Sequence, residues 1–455
     1  MKNVSALLML TALLLTGIMG CNGNGTTPAP LSSEKAITAF TLNGALVTID
    51  ETGKALQVKM PFGTDVTSLT PAITHSGAGI SPVSGVARNF SSPVTYTVTA
   101  ADGSTATYTV TVSVPSRGLL KTGQTASFAS GDDGDLQKGV AQPSPRFLDN
   151  GNTITDNATG LMWTKDGNAP GPGCSPASVK TWQEALNYVA CLNTSAYLGH
   201  TDWRLPNVKE LKSLIHYGEA SIYTWLNDAD QGFSNVQGNW YWTSTTCWAY
   251  DPIDTYAWMV SMSDGQISNA PKTTSYNVWA VREGQYGTIS LPKTGQTLTF
   301  ASGDDGELQK GIDWPSPRFT VDVDTVTDAL TGLMWTKDGN APAPSGCTTG
   351  VTMNTADALS YVACLNSKTY LGYSDWRLPN VTELESLVHR GVKDPSAWLN
   401  TQGFSSVQQA WYRSSTTTAG ATDYAWVVMM GNGNVYSSGP KTGADRVWPV
   451  RDSQP

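Results

Sequence analysis

Charge is scarce in this chain: Asp, Glu, Lys and Arg make up 14% of its 455 residues, against roughly 25% in ordinary soluble domains. The scarcer sign is positive, 28 Lys and Arg against 37 Asp and Glu, for a net charge of −9. No basic stripe is therefore available to displace counterions from phosphates, which excludes nucleic acid as a partner. There are four His, and no G-x-S-x-G, H-E-x-x-H or Walker pattern occurs, so neither a hydrolase nucleophile nor a zincin is signalled. What the chain has in quantity is 44 Gly, 25 Pro and 16 Trp, with 40% hydrophobic residues. That is the composition of a turn-rich, β-dominated protein able to bury sizeable cores.

Lys2 precedes an apolar run from Ala6 to Met19, too short to span a bilayer but right for the apolar region of a signal peptide. The run ends in Ile18-Met19-Gly20-Cys21, which resembles the bacterial lipobox. The resemblance implies a signal peptide over residues 1–20, removal before Cys21, and diacylglycerol on the Cys21 thiol, so that the membrane itself is a partner. Asn22 after the Cys leans toward the outer membrane or cell surface. An ordinary signal peptide with Cys21 incidental is the alternative. Residues 21–33, rich in Gly, Thr and Pro, read as a flexible tether.

In an exported chain disulfides persist, and the same interval separates Cys174 from Cys191 and Cys347 from Cys364, so two local disulfides are expected. Cys247 is left over in an apolar strand-like context, where a buried inert thiol is expected. Residues 34–115 alternate apolar residues with Thr or Lys, as in Val94–Thr99 and Thr107–Val112, between turns such as Asp102-Gly103. This predicts a small β-sandwich, and the stretch resembles the Ig-like modules near the N-terminus of bacterial surface lipoproteins. Its expected job is a stalk.

The rest is a duplication. Thr159–Pro170 recurs unchanged as Thr331–Pro342, Tyr188–Asn193 as Tyr361–Asn366, Asp202–Val208 as Asp375–Val381, and Phe128–Gly134 as Phe300–Gly306. The copies run over 117–285 and 290–455. Each is long enough to bury its own core, which predicts two domains in tandem. In each, two helices are announced by capping residues: Thr181 with Glu184 and Asn207 with Glu210 in the first copy, Asn354 with Asp357 and Asn380 with Glu383 in the second. Trp-rich strands follow, among them Trp240–Thr243, Tyr256–Met262, Trp411–Ser414 and Tyr424–Met430, an α+β design.

The succession of Asp156–Trp163, Trp182–Asn193, Trp203-Arg204-Leu205-Pro206-Asn207, Trp240–Thr245 and Val278–Arg282 resembles the C-terminal domain of the Legionella collagen-like adhesin. That family is similar to C-type-lectin-like folds, and the Arg-Leu-Pro element also resembles the sulfatase-modifying-factor group of that superfold. The resemblance implies an α+β chain in which an N-terminal Ig-like β-sandwich precedes two tandem C-type-lectin-like α+β domains. It implies a surface-exposed binding module, in the named adhesin one for sulfated glycosaminoglycans; at −9 this chain offers no evident basic patch for that ligand.

Asp132, Asp133 and Asp135, repeated as Asp304, Asp305 and Glu307, put three carboxylates on a Gly-containing turn, a candidate Ca²⁺ site, with a capped solvated turn as the alternative. His216 and His389 stand where a donor would suit a helix C-terminus. Six pairs of Trp match between the copies, as a shared core requires, whereas Trp182, Trp242, Trp248 and Trp314 have no Trp partner. Trp242 (opposite Arg413 in the other copy) and Trp248, together with Arg413, are candidate ligand contacts, core drift being the alternative. Arg204, Arg377, Arg282 and Arg451 are expected in internal ion pairs. The function expected is a non-enzymatic, lipid-anchored module for an extracellular glycan or protein ligand. The alternatives are a formylglycine-generating-type enzyme of the same superfold and a purely structural envelope protein.

Overall fold

The computed structural model describes residues 29–453 apart from 43–44, 172, 175–178, 250–251, 253, 285, 343 and 348–351. Cys21, the expected signal peptide and most of the tether lie outside the described residues. None of the described helices is long and apolar enough to cross a membrane.

The Thr-interleaved runs of the N-terminal body become strands because alternation sends every second side chain inward. Leu46–Asp50, Ala55–Lys59, Thr105–Ser113, Val94–Thr99 and Gly79–Ser81 form a five-stranded sheet in that order, and Ile37–Thr41 pairs with Ala72–His75 in a separate ribbon. Phe40 and Ile73 of the ribbon pack with Leu56, Val58, Tyr96 and Val110 of the sheet in one core.

Each copy opens its helices where the capping residues predict. Thr181 and Glu184 form a reciprocal box at the start of Trp182–Thr194, and Asn354 caps Thr355–Ser367. Asn207 with Glu210 and Asn380 with Glu383 do the same for the short helices Val208–Lys212 and Val381–Ser386. Disulfides Cys174–Cys191 and Cys347–Cys364 tie the long helices to the preceding loops. A four-stranded antiparallel sheet in each copy is closed by its last strand, Val281–Glu283 or Val450–Asp452. The Trp-rich hairpins, Trp240–Cys247 with Tyr256–Ser261 and Trp411–Thr417 with Tyr424–Met429, form the middle of the molecule.

The two copies share a central core, while each keeps a smaller one of its own, with Trp182, Trp203 and Leu205 in the first and Tyr361, Trp376 and Leu378 in the second. Strand Ile267–Pro271 pairs with its own equivalent, Val435–Pro440, through Ile267 and Val435, so that one eight-stranded sheet crosses both copies. A single hydrophobic cluster contains Trp163, Trp258 and Trp279 of the first copy and Trp335, Trp426 and Trp448 of the second. The arms at the head of each copy are exchanged. Gln124 of the first bonds both backbone groups of Thr417, with Nε2 donating to the carbonyl at 2.9 Å and Oε1 accepting the N–H at 3.0 Å. Gln296 of the second accepts the N–H of Thr246 at 2.7 Å. Duplicated sequence has thus folded as a pseudo-twofold pair within one chain, in which each half completes the other.

At the seam the copies have diverged. Lys212 and Glu385 occupy the same position of the repeated helix and meet at 2.7 Å, where identical residues would repel. Glu385 also takes Arg390 at 2.8 Å and Lys209 at 3.5 Å. Burial would raise its carboxyl, yet the surrounding cations hold it far below the usual carboxylate range. Glu385→Gln strands those cations and is expected to cost about 3–5 kcal/mol, read as a lower urea midpoint. Because a depressed carboxyl stabilises above its ordinary value of 4.5 and loses that contribution as pH falls below it, the wild-type midpoint should drop on acidification below that value while the variant's changes less.

Candidate functional site

The repeated arm motif builds a tight turn. Asp132 accepts the N–H groups of Phe128 at 2.7 Å, Ala129 at 3.0 Å and Asp135 at 2.9 Å, and so caps the short helix Asp133–Leu136. Asp304 does the same for Phe300, Ala301 and Glu307 ahead of Asp305–Leu308. Asp135 and Glu307 turn back to the N–H groups of Gly131 and Gly303. Gly134 and Gly306 are required by closeness: a Cβ would lie 2.0 Å from the Ala126 carbonyl oxygen and 1.9 Å from that of Leu298.

Asp133 and Asp305 point the other way, into the seam. Asp133 accepts the hydroxyls of Thr122 on its own arm and Thr416 of the other copy, both at 2.7 Å. Asp305 accepts Thr294 at 2.6 Å and Thr245 of the first copy at 2.8 Å. The Ca²⁺ expectation for Asp132, Asp133, Asp135, Asp304, Asp305 and Glu307 is therefore corrected. Two carboxylates of each turn bond their own backbone and the third faces inward, so they do not converge on one point. Among the described residues no group of three or more His, Cys, Asp or Glu side chains is arranged to hold a metal.

The turn presents an aromatic ring to the opposite copy. Phe300 lies with its centroid 5.2 Å from the Lys272 ammonium and 6.0 Å from the Trp248 ring, edge-on. The same ammonium sits 3.6 Å over the Trp182 ring, a close cation–π contact. Burial pushes Lys272 down to about 8, opposed by the charges of Asp304 and Asp254. Trp248, Lys272 and Phe300 are half-buried. Beyond Trp248, Ala249 lines an open pocket with Lys393, Asp394, Gln409, Gly431 and Asn432 of the second copy. The pseudo-equivalent face has Phe128 over Lys441 at 4.9 Å, but Ala419 and Thr355 stand where Trp248 and Trp182 would be. One face thus has a graded aromatic surface beside amide and carboxylate side chains, and its counterpart does not.

Of the expected ligand contacts, Trp248 is on this face and two are not. Trp242 is fully buried; its Nε1 donates to the Lys180 carbonyl at 2.9 Å and its ring meets Tyr276 edge-on. Arg413 is fully buried too, donating to Thr355, Asp445 and the carbonyls of Pro440 and Gly443. These are interior replacements for one another: the Trp182–Trp242–Tyr276 cluster of the first copy becomes Thr355–Arg413–Asp445 in the second. Phe300 and Lys272 escaped the sequence reading as site residues, although each stands in a repeated stretch, Phe-Ala-Ser-Gly for Phe300 and Pro-Lys-Thr for Lys272.

The motif that carries the resemblance is structural. Arg204 grips Glu210 at 2.5 and 2.7 Å and reaches Glu283 at 2.9 Å. Arg377 repeats this with Glu383 and Asp452, and Arg282 and Arg451 hold Asp202 and Asp375. His216 and His389 lie beyond their helices and do not cap them. His216 lies tilted against Trp225 and His389 meets Trp398 edge-on, and burial, then a nearby Arg, lowers each to about 4. Cys247 is fully buried, which pushes its thiol up to about 11.

Residues 152–282 and 324–451 match the family model of the Lcl C-terminal domain, and residues 37–112 match that of the SGBP N-terminal domain. Among solved structures, a candidate glycoside hydrolase from Bacteroides thetaiotaomicron is 33% identical over 24% of this chain and 33% of its own, with a TM-score of 0.18. A candidate secreted protein from Bacteroides fragilis is 18% identical over 18% of this chain and 95% of its own, with a TM-score of 0.15. The chain spans about a third of the first of these, 33%. No curated protein matches the chain.

Burial pushes Asp133 up to about 6 and Asp305 up to about 7, each opposed by its two Thr hydroxyls, from an ordinary 3.8. A raised carboxyl binds its proton more tightly folded than unfolded, so its effect on stability is a loss as pH rises from about 4 to 7. Urea midpoints of the Asp133→Asn/Asp305→Asn double variant should fall less than those of the wild type across that interval; parallel curves would contradict the burial.

Proposed function

The chain belongs to the Lcl C-terminal domain family, and from that membership we propose that it is a non-enzymatic surface receptor for an extracellular glycan. The observation that carries the reading is the combination of domains: a duplicated Lcl C-terminal body behind an N-terminal body that matches the SGBP family, surface glycan-binding proteins. We read the duplicated body as C-type-lectin-like and the N-terminal one as an Ig-like stalk, with Cys21 as the lipid anchor at the outer membrane or cell surface. The half-buried Trp248 and Phe300 rings offer apolar faces for pyranose stacking, with Lys272 fixed between aromatic rings beside them. Asp394, Gln409 and Asn432 of the adjoining pocket supply the acceptors and donors that sugar hydroxyls need. Because the counterpart face has Ala419 and Thr355 in place of Trp248 and Trp182, one face carries this arrangement.

A glycan array probed at physiological salt, with and without chelator, tests this. Binding to defined glycans is expected, with Trp248→Ala and Phe300→Ala each weakening it about tenfold, the scale of one lost aromatic contact. Silence across the array would sink the reading. In cells, Cys21→Ser should move the protein from the membrane fraction to the soluble one.

A further inference from the structure

We propose that Asp305 positions the Trp248–Phe300 face, and that it does so in its protonated form, so that the face is held together in mild acid and loosened toward neutral pH. The inference rests on the reading of that face as the glycan site and adds how the site is regulated. Its two rings belong to different copies and meet where the arm of the second lies on the first. Phe300 opens the turn whose backbone Asp304 holds, and Trp248 follows directly on strand Trp240–Cys247. Asp305 joins the two pieces. Its Oδ2 accepts the hydroxyl of Thr294 on the arm at 2.6 Å and that of Thr245, on the strand just ahead of Trp248, at 2.8 Å. The neighbouring tether, from the Thr246 N–H to Gln296, contains no titratable group.

Both hydroxyls are committed as donors to Asp305, because that of Thr245 already accepts the Val208 N–H at 3.1 Å and that of Thr294 the Gln296 N–H at 3.1 Å. As both fall on Oδ2, a proton on Oδ1 leaves them intact. The neutral carboxyl therefore suits the site, and the ionised one does not. Asp305 is 2% exposed, and among the described residues no Lys, Arg or His is in ion-pair contact with its carboxyl. The carboxylates that act on it are Glu210 of the helix Val208–Lys212, both of whose oxygens are taken by Arg204, and Asp304 beside it on the turn. Glu307 turns back to the Gly303 N–H, and the Lys272 ammonium answers to Asp304 and Asp254. A buried carboxylate among like charges is costly, and burial holds Asp305 up at about 7, its two Thr hydroxyls opposing. A proton held more tightly in the docked turn than in the released one stabilises docking at low pH, and that contribution is lost as pH rises from about 4 to about 7. Asp133 makes the same two bonds on the counterpart face. There Ala419 stands in place of Trp248, so the clamp holds its arm without building a platform.

Amide hydrogen exchange on the full chain, without ligand, tests this at about pH 5 and about pH 7.5, an interval below the titration of Lys272 at about 8. After correction for the intrinsic pH dependence of exchange, protection over residues 296–308 should fall about tenfold across the interval in the wild type. It should stay level in Asp305→Asn, whose amide cannot ionise. Asp133→Asn should keep the wild-type fall over those residues, which separates positioning from a general loosening of the seam. For a glycan found by the array, affinity should fall about threefold over the same interval in the wild type and stay level in Asp305→Asn. Equal protection at both pH values in the wild type, or an equal fall in Asp305→Asn, would overturn the role of Asp305. So would an affinity that ignores pH while the turn loosens. Silence across the array would instead remove the glycan reading, and the exchange result would still decide what Asp305 does.

Discussion

Glu385 stands at the point where the two halves of the molecule meet, and it is held there by cations from both of them. A repeated helix that packs against its own copy across a pseudo-twofold axis brings equivalent positions face to face, and equal charges there would drive the halves apart. Lys212 opposite Glu385 resolves the conflict, and it can do so only because duplication let the two positions differ. The surrounding architecture depends on this closure: the strand pairing of Ile267 with Val435, the shared cluster of Trp residues, and the arms whose Gln124 and Gln296 bond the opposite copy.

The same freedom to diverge explains the uneven distribution of aromatics. In the first copy Trp182, Trp242 and Tyr276 fill an apolar niche; in the second, Arg413 enters that niche with Asp445 and Thr355 as partners. Both solutions fill the niche from within, Trp242 bonding the Lys180 carbonyl and Arg413 the Asp445 carboxylate, so neither need be a binding site. What differs at the surface is Trp248 against Ala419. With Phe300 supplied by the other copy's arm, this substitution gives the two faces different chemistry.

Much of this was legible in the residues alone. Capping residues located the two helices expected in each copy, because the cap is a local interaction between side chain and backbone a few residues apart. Equal Cys spacing pointed to both disulfides, and the alternation of Thr with apolar residues marked the N-terminal strands. The sharing of the central core was not legible. A hydrophobic face shows that a residue will be buried, not which element will cover it, and two copies of one pattern fit equally well as separate domains or as a pair. Trp242 and Arg413 looked like surface candidates because an unmatched residue carries no mark of its burial. The acidic turns looked like a cation site because a count of carboxylates does not reveal that Asp132 faces its own backbone and Asp133 a pair of Thr hydroxyls.

If the copies are one body, covalent continuity between them is dispensable once they have folded. Cutting the folded chain at a protease site placed in the linker between Gly284 and Ser290, followed by size-exclusion chromatography under native conditions, tests this directly. The two halves should co-elute as a single 1:1 particle and separate only in denaturant. Two folded monomers eluting apart would contradict the account.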